Sequence, residues 1–326
     1  MPKLLPSIDF WKFVSCLLIV ILHCHPLASN QLADYYLTCF CRIAVPFFFI
    51  SSSFFFFRSG KDIRLFVKRL LILYLCWFIL ELPQTITRIF IYNDNSFYYN
   101  LFIFIRGLLI NSTFPASWFI TALWQGVLIV WWLSKKVDKR LLCIIGISCF
   151  ILACSLSMYR GLMEHTPAWP LLKLVGALLA PANSFIVAIP YCIIGKFFAE
   201  GQFKAVKNKG FLLLGSLAIG ALEAYSCRSF GYMTDVYLSL ILISPCIFMI
   251  ILDWDLQMNP ELSKYLRNCS ILVYLLHLPI LYFFRDHALV SAGSPAMFVS
   301  VFFCSLAIAT LIIIASKKIH VLRYLY

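Results

Sequence analysis

Ten apolar runs, at residues 10–27, 37–57, 66–82, 118–133, 141–158, 184–199, 210–226, 236–252, 270–284 and 296–315, dominate this chain. A helix that crosses a bilayer needs about 20 mostly apolar residues, with about 17 as the short limit. These runs sit at or near that length, and the segments between them are short. The chain is 62% hydrophobic and 13% charged, against about half apolar and a quarter charged in ordinary globular domains. Water cannot be the solvent for so much apolar surface. In lipid every backbone amide must be satisfied within the protein, which leaves a helical bundle or a closed barrel. Runs of this length select helices, so the expectation is an all-α polytopic bundle of about ten spans, one integral-membrane domain over residues 1–326. The stretch 97–110 is apolar but short and carries Arg106, and reads as interfacial or re-entrant, with an eleventh span as the alternative.

The basic residues give the bundle two sides. Cytoplasmic loops are enriched in Lys and Arg, and the 27 basic residues alternate in step with the runs. With the N-terminus inside, 20 fall in inward segments, among them Lys3, Lys12, Arg58, Lys61, Arg64, Lys68, Arg69, Lys264 and Arg267. Six fall in outward segments, and Arg42 lies near or in the second span. Both termini are therefore expected in the cytoplasm. The same distribution removes nucleic acid as a partner, because the positive charge follows topology rather than a patch. A cleavable leader is the competing reading of the first run, and the length of that run and the histidines at its end argue against it. The thirteen cysteines lie mostly inside apolar runs, where Cys acts as a small hydrophobe, and none form a Cys-x-x-Cys metal pair.

Ionisable side chains at membrane depth are costly and read first as functional. The first run carries Asp9, Lys12 and His23. Eleven residues at about 100° each return His23 to within about 20° of Lys12, roughly 16 Å along the helix axis. His25 points elsewhere, so His23 and His25 do not form a metal site on a helix. Lys12 sits where a cytoplasmic anion would arrive. His23, in the outer half, has the chemistry of a base that takes a proton from a hydroxyl and returns it. The competing reading is a snorkelling lysine and a histidine bonded to neighbouring backbone. Further polar groups in the outer half are Trp118, Glu223 and His277, with Tyr274 three residues before His277 on the same helix face. An acid at Glu223 calls for a partner such as Arg42 or a water-filled cavity. The five basic residues between Arg58 and Arg69 would attract a phosphorylated donor or lipid headgroups.

These residues resemble the membrane-bound acyltransferase 3 family. The segment Ile8-Asp9-Phe10-Trp11-Lys12, followed by ten residues and His23, is similar to the family's opening, with Lys12 in place of the commoner Arg. Val45-Pro46-Phe47-Phe48-Phe49-Ile50-Ser51-Ser52 is similar to its Pro-x-Phe-Phe stretch, and Ser53 stands where a Gly is usual, which removes the smallest contact for a neighbouring helix. Phe66-Val67-Lys68-Arg69-Leu70, Ser117-Trp118-Phe119, Ile189-Pro190-Tyr191 through Gly195, and Tyr274-Leu275-Leu276-His277-Leu278-Pro279 follow in family order. The resemblance implies an O-acyltransferase of the bacterial cytoplasmic membrane. It would move an acyl group from cytoplasmic acyl-CoA (usually acetyl-CoA) to a hydroxyl of an extracytoplasmic glycan or lipid-linked sugar, with no metal. His23 would be the essential residue, as general base or acyl carrier. Lys12, Lys68 and Arg69 would hold the donor, and Arg42, Trp118, Glu223 and His277 would line the acceptor cavity. The partners are then the lipid bilayer, the acyl-CoA and the acceptor, and homo-oligomerisation stays open. A transporter or flippase for a polar lipid, sugar or amino acid is the alternative use of the same buried groups.

Overall fold

A computed structural model describes residues 5–114, 116–230 and 235–326, without the side chain of Phe230; Lys3 lies outside the described residues. These residues form helices α1 (Pro6–Cys24), α2 (Gln31–Cys41), α3 (Ala44–Ser59), α4 (Ile63–Ile86), α5 (Phe97–Leu109), α6 (Ser117–Leu133), α7 (Lys139–Ser155), α8 (Arg160–Met163), α9 (Trp169–Leu179), α10 (Phe185–Ala199), α11 (Lys209–Cys227), α12 (Leu240–Asp253), α13 (Pro260–Asp286) and α14 (Pro295–Ala315), with no strand among them. The protein is an all-helical, multi-pass membrane protein. Side chains close the helix starts: Asn30 accepts from the Ala33 amide, Asp62 from Arg64, Asp138 from Leu141 and Ser294 from Met297. Such caps satisfy amides that have no partner within the helix.

Each of the ten apolar runs falls on a helix, but the helices differ in reach. Five are long and apolar enough to cross a membrane: α1, α2 with α3 as one 29-residue element, α11, α13 and α14. A sixth exists if α9 and α10, bent by 44° at their junction, count as one broken span. The helices α6, α7, α10 and α12 have 17, 17, 15 and 14 residues. At about 1.5 Å per residue these stop short of a hydrocarbon core about 30 Å thick. Helix α4 is long enough but carries Lys68, Arg69 and Glu81. Helix α9 falls where the sequence reading had only a loop, and it ends at Ala180 in the left-handed region (φ 42°). Helix α5, with 13 residues, spans about 20 Å.

Two packed regions share α3. One gathers α3, α6, α7, α10, α11 and α12 around Phe47, Phe49, Tyr191 and Phe248. The other gathers α1, α4, α13 and α14 around Cys16, Tyr74, Leu272 and Val301, and includes Phe48 of α3. Helices α3 and α10 approach closely because α10 supplies the glycine. A Cβ on Gly195 would overlap Ser53 Oγ, the Ile50 carbonyl and the Phe54 amide nitrogen. The close approach is therefore kept with Ser53 in place, and its hydroxyl turns back to donate to the Phe49 carbonyl at 2.7 Å. The seam between the two regions, walled by α1, α3, α4, α6 and α13, holds a cavity.

Candidate active site

That cavity measures about 740 Å³, within the range of small-molecule and cofactor sites. Six cationic side chains line it: Lys12, Arg58, Lys61, Arg69, Lys264 and Arg267. Arg58, Lys61, Arg69 and Lys264 are exposed and mark its mouth, while Lys12 and Arg267 are partly buried. Asp9, 3% exposed, is the acidic residue on the wall. The Ser263 hydroxyl donates to Asp9 Oδ2 at 2.7 Å, and Arg267 Nη1 stands 3.4 Å from the same oxygen. Lys12 Nζ lies 5.1 Å from the centre of the Phe55 ring, a cation–π contact on its apolar side. One carboxylate among six cations leaves a strong positive excess, so the cavity is built for an anion carrying several charges.

Beyond the basic residues the wall turns apolar, through Phe48, Phe119, Leu123, Tyr274 and Leu275. The Tyr274 hydroxyl donates to the Ala116 carbonyl at 2.8 Å, and its ring centre is 5.9 Å from His277. His277 is fully buried and its ring centre lies 5.2 Å from that of His23. Its Nδ1 is 2.6 Å from the Tyr274 carbonyl. A carbonyl can only accept, so Nδ1 carries the proton, and neutral His277 keeps an unprotonated Nε2. That nitrogen is buried with no hydrogen-bond partner among the described residues. His23 is exposed, although His277, Arg42 and His25 all lie close enough to act on it electrostatically. It is crowded by protein and still reachable from outside. Helix α1 thus carries the cation at the cavity wall and, three turns on, the histidine beside His277.

The remaining candidates divide. Arg69 and neighbouring Lys68 are both exposed, but only Arg69 lines the cavity. Trp118, at the start of α6, packs on Phe49 at 6.2 Å and leaves the cavity wall to Phe119. Arg42 pairs with Asp235 at 2.6 Å, each side chain 19% exposed. Glu223 is not the partner of Arg42. Its carboxylate accepts from the Tyr159 hydroxyl and from the amides of Leu238 (2.6 Å) and Ser239 (2.7 Å), which caps the start of α12. It lines a different cavity, described below. His25 takes the left-handed position that ends α1 and pairs with Asp34 at 2.7 Å. Among the described residues no three His, Cys, Asp or Glu side chains gather as metal ligands would.

The sequence reading had placed Lys264 and Arg267 only as topological charges. Their signal was nonetheless present: Arg267, Ser270, Ile271, Tyr274 and His277 recur at helical spacing and form one stripe of α13. Asp235 and Tyr159 gave no such signal, because each sits in a connecting segment and meets its partner only across the fold.

A family model for an acyltransferase domain matches residues 5–314, nearly the whole chain. The chain belongs to the acyltransferase 3 family. Curated relatives of this family member are named as racemases. An amino-acid racemase of Enterococcus faecalis is 28% identical over 164 residues, which is 48% of this chain and 22% of the relative. A serine/alanine racemase of Enterococcus gallinarum is 24% identical over 288 residues, 83% of this chain and 40% of the relative. A second amino-acid racemase of Enterococcus faecalis is 21% identical over 338 residues, 97% and 47% respectively. The chain spans less than half the length of each of these relatives. No solved structure matches.

Proposed function

We propose that this membrane acyltransferase takes its acyl group from acyl-CoA, most simply acetyl-CoA, and delivers it to a hydroxyl on the opposite side of the bacterial cytoplasmic membrane. The acceptor is a glycan or lipid-linked sugar. The observation that carries the reading is the cavity itself, with six cations on its wall, four of them exposed, and an apolar wall running to Tyr274, beside the His277–His23 pair. Its basic residues are ones assigned to the cytoplasm by charge distribution, which favours a ten-span topology with both termini inside and donor entry from that side. Several of the shorter helices then span as bent or tilted elements buried by their neighbours.

In this mechanism Lys12, Arg69, Arg58, Lys61, Lys264 and Arg267 hold the donor phosphates by charge-assisted hydrogen bonds. Lys68 adds only to the field at the mouth. The pantetheine arm follows the apolar wall toward Tyr274 and brings the thioester to His23. His23 takes the proton of the acceptor hydroxyl as its oxygen attacks the thioester carbon. The new C–O bond forms, the C–S bond breaks, and the thiolate leaves with the proton that His23 returns. If His23 instead carries the acyl group, its ring nitrogen attacks the thioester carbon and the C–S bond breaks to release the thiolate. The hydroxyl oxygen then attacks the same carbon, the C–N bond breaks, and the hydroxyl proton neutralises the thiolate. His277 fixes the His23 ring from one side, and Arg42 and Trp118 shape the acceptor side.

Inside-out membrane vesicles given labelled acetyl-CoA test the reading. Label is expected in a lumenal glycan or lipid and lost in His23→Ala; transfer that survives this substitution overturns the role of His23. A second reading draws on the relatives, whose names tie their longer chains to amino acids. Here the bundle would pass an amino acid across the membrane. Uptake of labelled serine without acyl transfer would favour it.

A further inference from the structure

A second cavity, about 750 Å³, lies between α7 and α10 on one side and α11 and α12 on the other. Its walls are Cys143, Ile147, Ile151, Ile193, Ile219 and Leu222 with their apolar neighbours. The residues from Cys143 to Ile151 give it a depth of about 12 Å. Ile147, Ile151, Ile219, Leu222 and Leu242 are exposed, so in a bilayer the slot opens sideways to lipid. Its polar groups, Tyr159, Glu223, Ser226 and Ser239, come from the 159 turn, the C-terminal half of α11 and the start of α12. The carboxylate of Glu223 is already satisfied by three donors. Ser239 is not: its side chain is 2% exposed and its hydroxyl has no partner among the described residues.

The turn after α7 and the segment before α12 line this slot through Tyr159 and Ser239, and through Ser157, Arg160 and Asp235 they also line a polar cleft of about 320 Å³. The two are held together there, with the Val236 amide donating to Ser157 Oγ at 2.9 Å. The cleft contains Arg160, Lys173, Trp169, Asn183 and Asp235. The Asp235 carboxylate is taken up by Arg42, whose charge reaches His23 electrostatically. Arg160 pairs with Glu164 at 3.0 Å and lies 5.4 Å over the Trp169 ring, so the positive charge left in the cleft is that of Lys173.

We infer that slot and cleft together form one binding site for a lipid-linked acceptor. A single hydrocarbon chain lies in the slot between α7 and α11, and a phosphate-linked, hydroxylated head group lies in the cleft. The inference rests on the acyltransferase reading and narrows its acceptor to a lipid. One slot takes one chain, which favours a single-chain carrier over a two-chain glycerolipid. The Ser239 hydroxyl meets the polar end of the chain, and Lys173 meets the phosphate. Trp169, with Arg160 over its ring, lines the cleft beside the sugar, and the Arg42–Asp235 pair bounds it.

The probe is a polyprenyl monophosphate bearing one monosaccharide and a diazirine in its chain, in phosphatidylcholine liposomes containing the full chain. Photolabel is expected on α7 and α11 peptides. It should fall about tenfold in Leu222→Trp and in Ile147→Trp, which fill the slot from exposed positions, a loss equivalent to about 1.4 kcal/mol. Equal labelling of α14, or labelling that both Trp variants leave unchanged, would overturn the site. Equal labelling by a polyprenol without phosphate and sugar would overturn the head-group assignment. Labelling needs no acyl transfer, so a labelled slot in a protein that transfers nothing counts against the acyltransferase reading alone.

Discussion

The Arg42–Asp235 pair permits a quantitative test of how the outer half of the bundle is held. The two groups are 2.6 Å apart, each side chain 19% exposed, and Arg42 Nε is buried without a hydrogen-bond partner among the described residues. At an effective dielectric constant near 20, unit charges 4 Å apart attract by about 4 kcal/mol. Breaking a fully buried pair costs about 3–5 kcal/mol, because the surviving charge is stranded. One-fifth exposure lets water screen part of this, so a coupling of about 2 kcal/mol is expected. The assay is a double-mutant cycle of Arg42→Gln, Asp235→Asn and the double variant, read as unfolding free energy in one detergent. Each single variant should lose more than half of what the double variant loses. A coupling below about 0.5 kcal/mol, the value of an exposed surface pair, would refute the claim that the pair is sheltered. It would also remove Arg42 as a fixed cation acting electrostatically on His23.

Two further outcomes follow from the cavity and the helix seam. Arg69→Ala should raise the KM for acyl-CoA about tenfold, the worth of one charge-assisted contact. Lys68→Ala should change it by no more than about twofold, as expected of a solvent-screened charge that does not line the cavity; steady-state kinetics at varied donor concentration would distinguish the two. Gly195→Ala should destabilise the bundle by about 3 kcal/mol, the upper end for overpacking, because the added carbon meets backbone as well as side chain. Adding Ser53→Gly should recover only part of that loss in thermal unfolding, since the Ile50 carbonyl remains in the way.

The site was partly legible before any coordinates. Lys12 and His23 share a helix, so their separation and common face follow from helix geometry alone. Arg69 could be named from the basic loop, but not told apart from Lys68. That distinction depends on which face of α4 turns to the seam, and a helix charged on several faces gives no period to read. Glu223 was recognisable as a costly acid, yet its partners are the amides before α12 and Tyr159, brought to it by packing of distant segments. The count of spans shows the same limit. Hydropathy located every run, but length, bend and burial against neighbours decide how far each helix reaches.

The sequence by itself determined that this chain is a helical membrane protein of the acyltransferase 3 family, with Lys12 and His23 on one face of its first helix. Both facts are local, set by apolar run lengths, motif order and a fixed rise per residue. Only the tertiary structure decided that Arg58, Lys61, Lys264 and Arg267 join Lys12 and Arg69 around one cavity. It also decided that His277 meets His23, and that Arg42 belongs to Asp235 rather than Glu223. Those pairings join residues up to 254 positions apart, and no local period encodes which helix faces will meet.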